Sequence, residues 1–398
     1  MRYRRDIAVV GGAVGGLAAA TAFRRLGHDV TLFERQCYDE KRVNCGEAMT
    51  AASKIPLEKT AENGFLNRVP SFEVAVRSGT ETVGGGRFSA RDAYITDRNT
   101  VERRWAEWVE DHGVELRANH GVSKAEFREL ADEYYLVVDA TGQPSLASKA
   151  DGTTDEYSGR MVALNADVTG DFSAVYPRSR IVFEGYLGYG WLFPKTETRA
   201  NVGVGWHERD VPDDYFAALH DACDRNGWPK PTRDETNVAI IPRGPSLDPE
   251  RIHPRANVVR VGDAAGIANR FTGKGISQAI HSATLLAECV AEGELAEYPD
   301  RLHRGMRAEY LLASLATTVL AEGRPDLLAD LLSAASGIDI EDIDRHPSRA
   351  LARLLSHPSL AARLLSIPAA RRSVWRALRD EWEYDDAFRP LTPRSSPR

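Results

Sequence analysis

Residues 6–26 constrain this chain more than any other stretch. Asp6-Ile7-Ala8-Val9-Val10 is a short apolar, β-branched run, Gly11-Gly12-Ala13-Val14-Gly15-Gly16 follows without a spacer, and a helix-forming stretch runs from Leu17 to Leu26. Strand, tight turn and helix in that order open a parallel α/β sheet. Small residues stand at Gly11, Ala13 and Gly16, so the middle glycine of G-x-G-x-x-G is an alanine. Gly11 permits the turn, Ala13 lets a pyrophosphate approach the backbone, and Gly16 lets helix and strand pack closely. The N–H groups at the start of the helix favour an anion. A second strand, Asp29 to Phe33, ends at Glu34, eighteen residues beyond Gly16, where a carboxylate can accept hydrogen bonds from a ribose. Arg35 suits an adenine-side contact or a solvated surface. The turn alone also fits a structural loop; its register with the strand, the helix and Glu34 is what points to a dinucleotide.

Two remote segments extend this reading. Tyr135 to Gly142 is a buried strand entering a polar turn, and Val258 to Gly266 is another, followed by Gly273-Lys274-Gly275-Ile276 and a helical stretch from Ser277 to Ala291. Asp263 sits at a strand end, placed for a cofactor hydroxyl, and the Gly275 backbone opens a helix whose N–H groups suit a polar ring.

Two further motifs are more specific. Tyr189-Gly190-Trp191-Leu192-Phe193-Pro194-Lys195 fits Y-x-W-x-F-P-K at every fixed position, and Cys45-Gly46-Glu47 fits C-G-[DE]. With the glycine-rich turn, the chain resembles the FAD-dependent superfamily of aromatic hydroxylases over about three quarters of its length, and within it the geranylgeranyl reductase family. Ala13 for glycine and Lys274 for a commonly acidic residue are departures. The resemblance implies FAD held by Gly11, Ala13, Val14, Gly15, Gly16, Glu34, Arg35, Cys45, Gly46, Ala48, Arg98, Val122, Asp263, Gly275 and Ile276.

An isolated trisubstituted alkene is poorly electrophilic, so its reduction needs a hydride at one carbon and a proton at the other, in a pocket that excludes water. Tyr189, Trp191 and Phe193 alternate along a strand and share one side, as a lining for a prenyl lipid chain or as ordinary sheet core. Lys195 is expected to bind substrate phosphate or to reach water. Cys45 and Glu47 are both candidate catalytic proton donors, and the sequence does not choose between them. A flavin monooxygenase or halogenase is the second reading, although Tyr189 and Phe193 break the halogenase pattern W-x-W-x-I-P. A non-catalytic prenyl-binding flavoprotein is the third. No second strand–glycine–helix unit follows residue 35, and Gly84-Gly85-Gly86 lacks flanking elements, so electrons are expected from outside, from NAD(P)H or a ferredoxin-like protein.

The composition fits a cytoplasmic enzyme, with the inner membrane surface as a peripheral location. No apolar run approaches a membrane span, and the first strand follows directly on Met1-Arg2-Tyr3-Arg4-Arg5, so no signal peptide is expected. The four cysteines show no metal spacing, and no metal site is expected. A net charge of −7 argues against nucleic-acid binding. The expected organisation is a discontinuous Rossmann-type α/β FAD domain (1–70, 95–160, 250–300), an inserted antiparallel β-sheet substrate domain (71–94, 161–249) and a C-terminal helical region (301–398).

That last region is charge-segregated. Residues 345–379 hold eight arginines and no acidic residue, leaving the rest of the chain at about −15. They repeat a unit, His346-Pro347-Ser348…Leu354-Leu355-Ser356 then His357-Pro358-Ser359…Leu364-Leu365-Ser366, before Ile367-Pro368. Each proline suits a first helical turn. Two outcomes stand: short basic helices docking on an anionic membrane, or a cap closing the substrate channel with its arginines paired to the acidic body.

Overall fold

The computed structural model describes residues 4–154, 160–242 and 252–379; the expected pieces at 243–251 and 380–398 lie outside these. Five parallel strands form one sheet in the order Val258–Arg260, Leu136–Asp139, Asp6–Val10, Asp29–Phe33, Glu115–Arg117. The first strand is central and apolar on both faces, as a parallel sheet covered by helices requires. Helix Val14–Arg25 leaves it and packs against helix Ile276–Glu292. Helix Arg98–Asp111 starts at Asp97, whose side chain accepts from Thr100 N–H at 3.1 Å and so caps the first turn.

A seven-stranded sheet runs Asn237–Pro242, Arg160–Thr169, Arg199–His207, Gly188–Pro194, Ser179–Phe183, Ser71–Ser78, Glu81–Ser89. It is antiparallel except where Ser179–Phe183 meets Ser71–Ser78. A small sheet of Ala48–Met49, Tyr94–Thr96 and Phe65–Arg68 accompanies the two larger ones.

Among the described residues the C-terminal region is six helices: Tyr298–Ala321, Pro325–Ala335, Ile340–Arg345, Pro347–Leu355, Pro358–Leu365 and Pro368–Leu378. The prolines of the last three stand in their first turns. Among the described residues no helix is long and apolar enough to cross a membrane. Gly84-Gly85-Gly86 has a packing reason instead of a cofactor one. A Cβ on Gly86 would stand 2.7 Å from the Leu332 carbonyl, and one on Gly85 2.0 Å from the Val74 carbonyl. The bare strand lets helix Pro325–Ala335 lie directly on the sheet, where Val76, Phe183, Leu187, Leu327, Leu328 and Leu331 share one core.

Candidate active site

A cavity of about 560 Å³ opens between the parallel sheet, the seven-stranded sheet and the C-terminal helices. At one end it is lined by Ala13, Val14, Gly15, Asp263, Gly275 and Ile276. These are the starts of two helices, Val14–Arg25 and Ile276–Glu292, and neither has a side-chain cap. Two uncapped N-termini facing one cavity suit a phosphate and an electron-rich ring. The turn is held by steric necessity. Gly11 has φ +103°, and a Cβ on Gly16 would stand 1.7 Å from the Gly11 carbonyl oxygen. Beside this cradle the Asp263 carboxyl lines the cavity, and desolvation there raises its pKa against the opposing charge of Arg98.

The adenine-side residues lie apart from that cavity. Glu34 is buried; one carboxylate oxygen accepts from Gly12 N–H and Lys41 Nζ, both at 2.9 Å, and the other from Gln36 N–H at 2.9 Å. A carboxylate has roughly four acceptor positions, so one remains for a ribose hydroxyl. Arg35 and Val122 do not line the cavity; Val122 packs against the core around Phe33 and Phe127. Lys41 was not foreseen, and it also pairs with buried Glu102 at 3.2 Å.

In the middle of the cavity stand Cys45, Gly46, Glu47, Ala48 and Arg98. Cys45 Sγ accepts from Glu47 N–H at 3.2 Å and faces the Arg98 guanidinium. Burial opposes the Arg98 charge, but Glu102 and Cys45 outweigh it and hold it cationic. Glu47 has a left-handed backbone, φ 63°, fixed by its carbonyl, which accepts from Thr96 N–H at 3.0 Å, and its carboxylate, which accepts from Arg98 N–H at 3.0 Å.

The far wall is the aromatic strand. Tyr189, Trp191 and Phe193 all face the cavity, with centroids 5.7 and 6.0 Å apart along the row. The indole lies across Gly203, its register partner, and beneath Gly46. Trp191 Nε1 donates to Asn201 Oδ1 at 2.9 Å, and the Tyr189 hydroxyl donates to the Thr272 carbonyl. A Cβ on Gly203 would stand 2.2 Å from the indole and 2.6 Å from the Leu164 carbonyl. Gly203→Ala is therefore expected to displace Trp191 and cost about 1–3 kcal/mol of stability, read by thermal unfolding and tryptophan fluorescence.

Lys195 does not line the large cavity and does not reach open water; it is buried between Glu47 and Asp167, 2.6 Å from the latter. The two sequence motifs thus meet in one ion pair. Burial opposes the Lys195 charge, but its two carboxylates keep it charged. Burial also raises Glu47 despite Lys195. Asp167 can neutralise the ammonium, so Glu47 can hold a proton without stranding Lys195. Lys195→Met should cost about 3–5 kcal/mol near neutral pH, because a buried carboxylate loses its partner. The loss should shrink as acid protonates Glu47, which thermal unfolding at two pH values would show. Cys45, Glu47, Asn165, Asp167 and Lys195 also line a smaller polar cavity of about 310 Å³. Asn165 and Asp167 were missed; their signal is two polar residues in phase with cavity-facing Met161 and Ala163.

The C-terminal helices close the cavity: Leu312, Leu331, Ala350, Leu354 and Leu364 line it. Arg349 pairs with Asp342, and Arg363 with Asp326 and Asp330, so part of the basic segment is latched to acidic neighbours.

A dinucleotide-type parallel sheet opening onto an aromatic-walled cavity suits an oxidoreductase with a bound dinucleotide. No family model matches the chain. A digeranylgeranylglycerophospholipid reductase of Methanoculleus marisnigri is 24% identical over 320 residues, 74% of this chain and 79% of that protein. The chloroplastic geranylgeranyl diphosphate reductase of Oryza sativa subsp. japonica is 31% identical over 324 residues, 73% of this chain and 67% of that protein. A solved geranylgeranyl bacteriochlorophyll reductase-like protein from Thermoplasma acidophilum has a similar fold, with a TM-score of 0.69, 17% identity and coverage of 92% and 99% of the two chains. The chain belongs to the geranylgeranyl reductase family.

Proposed function

We propose that this protein is an FAD-dependent reductase that saturates carbon–carbon double bonds of a geranylgeranyl chain carried by a prenyl lipid. The observation that carries the reading is the continuity of one cavity: glycine cradle, Cys45 and Glu47, and the Tyr189–Trp191–Phe193 wall all line it. The cradle fits FAD: Ala13, Val14 and Gly15 would hold its pyrophosphate, and the backbone of Gly275 and Ile276 would offer N–H groups to its ring. When bound and reduced, the flavin supplies the hydride.

The chain's own residues do the rest. The aromatic row and the C-terminal leucines offer an apolar channel that excludes water and holds an isoprenoid segment. Aromatic faces stabilise positive charge developing on the tertiary carbon. The proton comes from Cys45 Sγ or Glu47, neighbours in the cavity wall, and Arg98 stands ready to stabilise a Cys45 thiolate. Lys195 positions Glu47 and gives up none of its own contacts to substrate.

Electrons come from an external donor, NAD(P)H or a ferredoxin-like protein. The test is product analysis by mass after anaerobic incubation of the reduced holoprotein with a geranylgeranylated ether lipid and, separately, geranylgeranyl diphosphate. Gain of hydrogen pairs in the lipid supports the reading. Gain only in the diphosphate moves the substrate to the free prenyl diphosphate, and gain in neither overturns it.

A further inference from the structure

The C-terminal helices carry a repeated doublet that closing the cavity does not explain. Leu354–Leu355, Leu364–Leu365 and Val374–Trp375 follow one another at intervals of ten residues. The first member of each pair turns inward. Leu364 belongs to the core shared with Val319 and Leu328, Leu354 and Val374 pack against it, and Leu354 and Leu364 line the cavity. The second member turns out: Leu355 is 71% exposed, Leu365 41% and Trp375 55%, with Leu378 at 70%. Packing rewards the first of each pair and leaves the second in water, three times over.

Charge accompanies these side chains. On helix Pro368–Leu378 and its cap, Arg371, Trp375, Leu378 and Arg379 fall at i, i+4, i+7 and i+8, which is one face. Arg371 and Arg372 are exposed, and the Arg379 guanidinium lies 4.4 Å over the Trp375 ring. Arg353, also exposed, donates to the Ala334 carbonyl and has no carboxylate partner among the described residues.

We propose that this outer face is a docking surface for an anionic lipid bilayer, so that the same helices are membrane contact on one side and cavity wall on the other. The proposal rests on the prenyl-lipid reading, because such a chain lies in the bilayer and must pass from it into the cavity. Exposed leucines and a tryptophan at helix ends, set among arginines, match the interface between headgroups and acyl chains. The basic segment on a chain otherwise at about −15 orients that face toward negative lipid and the body away from it.

The full-length holoprotein is sedimented, without substrate, with vesicles of pure phosphatidylglycerol or pure phosphatidylcholine at low and high salt. Wild type should pellet with phosphatidylglycerol, less at high salt, and weakly with phosphatidylcholine. The variant Leu355→Ser/Leu365→Ser/Trp375→Ser/Leu378→Ser, with unchanged flavin content and thermal unfolding, should bind about tenfold or more weakly. Wild type that never pellets with phosphatidylglycerol overturns the proposal, as does a variant that binds like wild type. An acidic protein as the true occupant would show as the first of these. Saturation of a detergent-dispersed prenyl lipid is measured alongside. Activity without vesicle binding sinks the docking surface alone; vesicle binding without activity supports the surface and counts against the prenyl reading.

Discussion

Gly16→Val yields protein with no bound flavin. The position tolerates no side chain: a Cβ would stand 1.7 Å from the Gly11 carbonyl oxygen and 2.9 Å from its carbon, both backbone atoms of the turn itself. Backbone cannot swing away as a long side chain can, so the helix Val14–Arg25 must separate from the turn that places its N–H groups at the cavity. Because such a protein can fail to fold altogether, Gly15 supplies the control. A Cβ there meets only ordinary contacts, 3.7 Å from Ala279 and 3.8 Å from Val261, while the residue lines the cavity. Gly15→Ala should fold with normal thermal unfolding and hold flavin more weakly. Normal flavin content in Gly16→Val, read from absorbance after gel filtration, would remove the turn from the cofactor site.

Cys45→Ala should lower prenyl saturation by about 10²–10⁴-fold while leaving flavin reduction by the donor nearly unchanged, the usual cost of losing a positioned proton donor. The thiol has the position for that role: it lines the cavity with the aromatic wall, and both Glu47 N–H and Arg98 face it. Glu47→Gln separates the two candidates. Burial raises the Glu47 pKa, so its carboxyl keeps a proton to higher pH than an exposed one. If Glu47 donates, turnover falls as pH rises through that raised value, and Glu47→Gln abolishes turnover. If Cys45 donates, Glu47→Gln retains much of the rate and Cys45→Ala does not. Equal saturation rates in Cys45→Ala and wild type would take the thiol out of the chemistry.

Legibility in the sequence followed the range of the forces involved. The Gly11–Gly16 turn could be read because strand, turn and helix are contiguous, and each glycine's reason lies within a few residues. The facing of Tyr189, Trp191 and Phe193 could be read because alternation along one strand decides it. Lys195 could not. Its partners Glu47 and Asp167 come from a loop and from a strand two places away in the sheet, and only register, which pairs Phe193 with Asn201 and Asn201 with Asp167, brings that carboxylate within its reach. The triple glycine's packing role was out of reach for the same reason: what excludes side chains at Gly86 is the Leu332 carbonyl, on a helix far along the chain. The choice between membrane dock and cap for residues 345–379 also could not be made locally. The leucine stripes were visible, but which leucine of each pair turns inward depends on Val76, Phe183 and Val319 from other elements.

Anaerobic single turnover tests the central claim most directly. Protein with its flavin fully reduced, and no donor left in solution, is mixed with a geranylgeranylated lipid while absorbance and product mass are followed together. The account predicts flavin reoxidation in step with lipid that has gained two hydrogens per bond, both of them deuterium when protein and flavin are equilibrated in deuterated buffer, because the flavin N5–H and the proton donor both exchange with solvent. Flavin that stays reduced until oxygen is admitted, with the lipid unchanged, would contradict it.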